Sequence, residues 1–270
     1  MADESGHMLE IREISSSNLP DAARLCLAGK SLSDRPRAFT REVELDSTRC
    51  KLSLLSELMR GGSRARAAYR DGMLVGYLEI HPIAQALVPV DGADCHVIGC
   101  VRVPEAQERD EVEKALIDHA AASLPNSRGL AVLAREKDWN VCGFTEAAHE
   151  AAEVPGYERV LWWRPIAGGD APKIAPVDRK LAKIPGKTRV DLFTSERCPW
   201  DRYVFDLVRG VCSRMKSNVV LYETDCSKRR NVLRAGVTCG VAVNGQFQPW
   251  VRPYRLPDEH MIRRTLEDAV

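Results

Sequence analysis

The stretch "ARAAYRDGMLVGYLEIHP", residues 65–82, reads as two β-strands joined at Asp71-Gly72. A two-residue hairpin turn of type I′ needs positive φ at both central positions, and Asp followed by Gly tolerates that. Working outward, "MLEIREI" (8–14) alternates with period two, while "LPDAARLCL" (19–27) has helical spacing with Asn18 placed to cap it. Lys30 to Arg64 is polar and only weakly helical. Downstream come a strand "CHVIGCVRV" (95–103) and a helix "PEAQERDEVEKALIDHAAASL" (104–124), opened by Pro104 in its first turn. "GLAVLAR" (129–135) and "YERVLWWRP" (157–165) complete the expected strand set. Strands alternating with helices predict a mixed α/β (α+β) fold.

The segment "PIAGGDAPKIAPVDRKLAKIPGK" holds prolines at 165, 172, 176 and 185 and little apolar periodicity, which reads as a linker. The expected organisation is a first domain over 8–165, a linker over 166–187 and a second domain over 188–270. In the second, "TRVDLFTS" (188–195) is a strand, and the helix after it keeps Val204, Leu207, Val208, Val211 and Met215 on one face. "NVVLYETD" (218–225) is a strand, "SKRRNVLRAG" a short helix ending at Gly236, and "CGVAVNGQFQPWV" a hairpin turning at Asn244-Gly245. The terminal helix is "DEHMIRRTLEDAV". The order is βαβαββα.

Composition narrows the function. Of 270 residues, 44% are hydrophobic and 29% charged, with a formal net charge of +1, so nothing global favours nucleic acid or a membrane surface as partner. No apolar run approaches a membrane span, and "MADESGHM" does not resemble a signal peptide, so a cytoplasmic address is expected. The chain is cysteine-rich, with nine, but contains no CxxC pair, which argues against a structural zinc site of the usual kind. Cys95 and Cys100 fall on opposite faces of a regular strand, unless a bulge intervenes.

Two sets of motifs carry a resemblance. "DGMLVGYLEI", "IGCVRVPEAQERDEVEKALI" and "VCGF" (with Gly143 and Phe144) resemble the GNAT superfamily of acyl-CoA-dependent N-acetyltransferases over about Met8 to Pro165. "LFTSERCPW" and "VAVNGQF" resemble the Cys-Pro and Asn-Gly motifs of the thioredoxin-like, YoaP-like domain that some such acetyltransferases carry at their C-terminus. The resemblance implies acetyl-CoA as co-substrate and a small-molecule amine or thiol as partner. Cys100, Val101 and Val103 would belong to the strand that binds the pantetheine arm, and the turn with Gln107 and Arg109 would receive the pyrophosphate at a helix N-terminus. The family's small residues in that turn are replaced by Asp110 and Val112, and Glu108, Asp110 and Glu111 add negative charge.

The same resemblance makes Glu79 the candidate base for an ammonium nucleophile, with His81 and His96 as alternatives. Tyr157 is a candidate acid for the departing thiolate, or a packing residue beside Trp162 and Trp163. In the second domain Cys198 would open a helix whose local potential favours the thiolate, against the charge of Asp201. Gly240 falls where the thioredoxin-like fold places its cis-proline, which would put Cys239 beside Cys198. Cys212 is expected in the core and Cys226 in an exposed loop. Three readings follow: an N-acetyltransferase with an accessory domain; a scaffold whose Cys198 and Cys239 perform thiol redox chemistry or bind a soft metal; and a non-catalytic binding module.

Overall fold

A computed structural model of the chain describes residues 8–27, 40–105, 108–134, 139–150, 159–177, 181–215, 217–250 and 257–269. Contacts divide the chain into two units, Met1–Ser31 with Leu55–Ala175, and Leu32–Leu54 with Pro176–Val270. The boundary between Ala175 and Pro176 falls inside the proline-rich segment. Among the described residues no helix is long and apolar enough to cross a membrane.

The first unit contains β1 (Leu9–Glu13) and α1 (Leu19–Leu27). The 20-residue helix α2 (Arg41–Arg60) has residues in both units. The first unit continues through β2 (Arg64–Arg70), β3 (Met73–Pro82), β4 (Val90–Asp91), β5 (His96–Arg102), α3 (Arg109–Ala122), β6 (Gly129–Ala134), β7 (Thr145–Glu150), β8 (Arg159–Pro165) and β9 (Lys173–Ile174). Seven of the strands form one sheet in the order β1-β2-β3-β5-β6-β8-β7, and β4 pairs separately with β9. Only the β5/β6 pairing in the large sheet is parallel, bridged by α3. The β2–β3 hairpin turns at Asp71 (φ 51°) and Gly72 (φ 79°), as the Asp-Gly pair predicts.

One face of the sheet is apolar and packs on α3: Leu78, Ile80 and Ile98 join Val112, Leu116 and Ile117 in a buried core. Gly76 is required there, because a Cβ on it would lie 2.5 Å from Val112 Cγ1. Val112 therefore points into the sheet rather than toward a ligand at the helix N-terminus. Gly143 ends a 3-10 turn in left-handed conformation (φ 77°), and Phe144 is buried edge-on against Trp139.

Local details differ from the sequence reading. Helix α3 starts at Arg109, with Glu108 as its cap residue and Pro104 outside it. Asn18 does not use its side chain to cap α1; its Oδ1 accepts from the Ser15 backbone N–H. Strand β7 was not expected, since "TEAAHE" is polar and largely exposed at the sheet edge, where only β8 pairs with it. Helix α2 is hard to read because Ser47 and Lys51 are buried on it beside Leu54 and Leu55, which breaks the apolar stripe.

The second unit contains β10 (Thr188–Thr194), α4 (Pro199–Arg214), β11 (Val219–Asp225), α5 (Arg229–Ala235), β12 (Gly240–Val243), β13 (Gln246–Phe247) and α6 (Glu259–Glu267), the βαβαββα order read from the sequence. Its sheet runs β11-β10-β12-β13, with β10 and β11 parallel and the other pairings antiparallel. Asn244 (φ 49°) and Gly245 (φ 87°) make the tight turn, and the Asp258 side chain caps α6 through the Met261 N–H.

Candidate active site

Alternation along β3 puts Tyr77, Glu79 and His81 together on the face opposite the α3 core. Cross-strand partners share a face, so Ala67 and Ala65 flank Tyr77 and Glu79 on one side, and Arg102, Cys100 and Val97 flank the three on the other. Tyr77 Oη donates to Glu79 Oε1 at 2.8 Å. His81 Nε2 lies 3.6 Å from Glu79 Oε2, and its Nδ1 is 2.9 Å from Ser63 Oγ. Glu79 is only 3% exposed, so this carboxylate is a partnered buried group and not a solvated one. Burial, and then the neighbouring Glu79, pushes the Tyr77 hydroxyl well above its ordinary value, so Tyr77 remains a hydrogen-bond donor.

Cys100 reaches this face through a bulge. Glu79 pairs with Cys100 but Ile80 pairs with Ile98, which leaves Gly99 as the extra residue on β5. Ile98 therefore points into the α3 core while Cys100 shares the face of Glu79. Val97 pairs with His81, and Cys95 packs beside Val97 in a second apolar cluster. The bulge thus gives Cys95 and Cys100 a common face, the alternative to regular alternation.

Beyond the bulge the sheet opens. The ladder between β5 and β6 holds only His96↔Leu130 and Val97↔Ala131, although β5 continues to Arg102. Val101 is partly buried against the core, and Val103 is buried within it. The divergence leads toward the N-terminus of α3, where Arg70 bridges Glu108 at 2.9 Å and Glu111 at 2.8 Å. This single guanidinium offsets only part of the acidic charge of Glu108, Asp110 and Glu111. Arg109 is half-buried in the first turn. Gln107 and Tyr157 lie outside the described residues. His96 bonds Ser127 Oγ through Nδ1 at 3.0 Å, and burial lowers its pKa, with smaller contributions from Arg64 and His81.

In the second unit Cys198 is the cap residue of α4, with Pro199 at the first helical position. Its surroundings disfavour the thiolate. Burial, and then the charge of Asp201, push its pKa up to about 12, outweighing Lys51 and the backbone N–H donors that lower it. The helix N-terminus alone would favour the thiolate, but desolvation is the larger effect here. Cys239 comes to the same turn, donating its thiol to Asp201 Oδ2 at 3.4 Å. No disulfide joins the cysteines, and the peptide before Gly240 is trans. Among the described residues no group of three His, Cys, Asp or Glu side chains is placed to hold a metal ion.

Cys212 is in the core, as expected, whereas Cys226 is buried and not exposed, its N–H held by the Thr194 carbonyl at 2.7 Å. The sequence reading missed Lys51 and Asp46, both on α2. Lys51 is 2% exposed and donates to the Arg197 carbonyl at 3.0 Å. Asp46 pairs with Arg202 at 2.7 Å. A polar cleft of about 250 Å³ is lined by Ser195, Glu196, Arg202, Asp225 and Ser227, with neither Cys198 nor Cys239 in its wall.

No family model and no curated protein matches the sequence. Among solved structures, the chain is similar to a GNAT family acetyltransferase from Brucella melitensis in complex with acetyl-CoA (18% identity, 62% of this chain and 96% of that chain, TM-score 0.39). It is also similar to the ribosomal-protein-S18-alanine N-acetyltransferase from Escherichia coli (14% identity, 60% and 96%, TM-score 0.41). A third is an aminoglycoside 6'-acetyltransferase type Ii (15% identity, 58% and 97%, TM-score 0.40).

Proposed function

We propose that the first unit is a GNAT-type, acyl-CoA-dependent N-acyltransferase acting on the amine of a small molecule, with residues 8–165, apart from the Leu32–Leu54 stretch that groups with the second unit, as its catalytic domain. The observation that carries this reading is the short β5/β6 ladder, which gives way to divergence after two residue pairs, beside a buried carboxylate on the adjacent strand. A diverging pair of parallel strands offers one strand's backbone to an extended amide arm such as pantetheine. The residues fit that group in part: β5 leads from Cys100 through Val101 to Val103, then to the N-terminus of a helix with Arg109 in its first turn, while Arg70 there is already paired with Glu108 and Glu111. Acetyl-CoA would supply an activated thioester carbonyl.

This chain's own residues would then manage one proton. An amine reaches the site as an ammonium, and Glu79 Oε2 removes the proton that blocks its lone pair. Tyr77 holds the other oxygen at 2.8 Å and so fixes the carboxylate plane. Burial excludes water, which strengthens each of these contacts. The enclosure of Glu79 requires an adjustment on the α1 side of the sheet before an acceptor can reach it.

For the second unit we propose a thioredoxin-like, YoaP-like accessory domain over 188–270, following a linker over 166–187, that binds rather than performs redox chemistry. The support is chemical: a thiol with a pKa of about 12 is protonated at neutral pH and a poor nucleophile. The acyltransferase reading is tested by CoA release from acetyl-CoA with a panel of primary amines. Release that depends on amine and on Glu79 supports it, and release at the background rate with every amine overturns it.

A further inference from the structure

A buried cation ties the last turn of α3 to the sheet. Arg66 of β2 is 1% exposed and pairs across the strands with Glu13 and Leu78, which sets it on the face packed against α3. A guanidinium has donors and no acceptor, so each of its contacts has a fixed direction. Nε donates to His119 Nδ1 at 2.9 Å, and Nη2 donates to Ser123 Oγ at 2.6 Å. Ser123 Oγ in turn donates to the Ala120 carbonyl at 2.7 Å. Arg64, two residues earlier on the same face, donates to the Ser123 carbonyl at 3.2 Å. Among the described residues the hydrogen bonds of Arg66 therefore end on neutral side chains, and its Nη1 has no partner.

The bond to His119 requires a lone pair on Nδ1. The ring is neutral with its proton on Nε2, an assignment that follows from the donor alone. His119 is exposed, so protons from solvent reach it, while the group that depends on it is buried. We propose that Arg66 and His119 form an acid-sensitive latch, closed while the ring is neutral and opened when Nδ1 takes a proton from solvent. On opening, the Nδ1–H bond forms, the hydrogen bond from Arg66 Nε is lost, and two cations face each other across the β2–α3 contact. A buried donor is then left without its acceptor, and the last turn of α3 loses a tie to the sheet.

A histidine in the last turn of a helix ordinarily gains from its charged form, because the helix C-terminus is negative. Here Arg64 and Arg66 already occupy that potential. Desolvation of the ring edge turned to Arg66, and then the charge of Arg66, lower the His119 pKa; Glu13 on β1 raises it by less. Beside the ring on α3, Asp118 is engaged by Lys114 and Arg164. With a folded pKa below the ordinary 6.5, the unfolded chain binds more protons. The stabilisation is therefore present above about pH 6.5 and is lost as pH falls through the folded value. The helix held in this way carries Arg109 at its other end, yet the latch is independent of the acyltransferase reading.

The test is nitrogen NMR on the full chain labelled at histidine, with His119 assigned by loss of its signals in His119→Asn, whose Oδ1 keeps an acceptor for Arg66. The expected result at pH 7.5 is Nε2 protonated and Nδ1 bare. The ring should titrate with a midpoint below 6.5, and the midpoint should rise in Arg66→Met. Urea midpoints should fall more steeply between pH 7 and 5 in wild type than in His119→Asn, a comparison that cancels the contribution of His96. A wild-type ring protonated on Nδ1 at pH 7.5 overturns the inference, as does a midpoint at or above 6.5, one unmoved in Arg66→Met, or parallel urea profiles. Tautomer and midpoint are read on the wild-type chain, so they decide the matter even where Arg66→Met does not fold.

Discussion

The Cys239 thiol donates to the carboxylate of Asp201 at 3.4 Å, in the same helical turn that Cys198 caps. Asp201 thus stands where a CxxC pair would have its second cysteine, and the Cys239 thiol reaches it from the residue before β12. A carboxylate beside two thiols favours their protonated forms. Cys198, Cys212 and Cys226, with pKa values of about 12, 11 and 12, are expected to resist iodoacetamide at pH 7.5 until the protein is denatured. Asp201→Asn should lower the Cys198 pKa, and Lys51→Met should raise it; the pH dependence of the alkylation rate, followed by peptide mass spectrometry, measures both.

The same raised values set an alkaline stability limit. A thiol whose folded pKa lies above its unfolded value of 9.0 binds more protons folded than unfolded between the two. The contribution is fully present below about pH 9 and is lost as pH rises toward 12. Urea midpoints should therefore fall from pH 9 upward. A flat midpoint over that range would contradict the raised pKa values of these thiols.

Gly76 and Val112 are locked together by space. Gly76→Ala would place a methyl 2.5 Å from Val112 Cγ1 and 3.0 Å from Leu116 Cδ1. The expected cost is about 1–3 kcal/mol, as for other overpacked cores. Val112→Ala in the same chain should recover part of that cost, and a double-mutant cycle in urea measures the coupling.

Glu79→Ala leaves the Tyr77 hydroxyl without its acceptor in a buried site, at a cost of about 1–3 kcal/mol. Glu79→Gln keeps an acceptor for Tyr77 and should be much closer to wild type in stability. Both should lower amine-dependent CoA release by about 10²–10⁴-fold, the usual range for a lost general base. Thermal melts and steady-state rates on the two variants separate the structural from the chemical contribution.

The hairpin and the second unit were legible because local chemistry specifies them. Asp71-Gly72 and Asn244-Gly245 both take positive φ in tight turns, and Gly236 ends α5 at φ 65°. What stayed hidden depends on contacts distant in sequence. Helix α2 buries Ser47 and Lys51, whose partner is the Arg197 carbonyl, beside Leu54 and Leu55, so its stripe carries a broken apolar signature. The position of Cys100 depended on the bulge at Gly99, a glycine inside a strand pattern that could have signalled it. That Val112 belongs to the core and not to a phosphate-binding turn depends on its rotational position on α3, which could not be read before the helix start at Arg109 was known.

The central claim is that the diverging β5/β6 edge and the α3 N-terminus form an acyl-CoA site, and calorimetry with acetyl-CoA tests it most directly. The expected result is saturable binding at millimolar ligand or below, weakened by Arg109→Glu with little change in melting temperature, since Arg109 forms no part of the apolar core. Absence of binding heat for the folded wild-type chain at millimolar acetyl-CoA would contradict the claim.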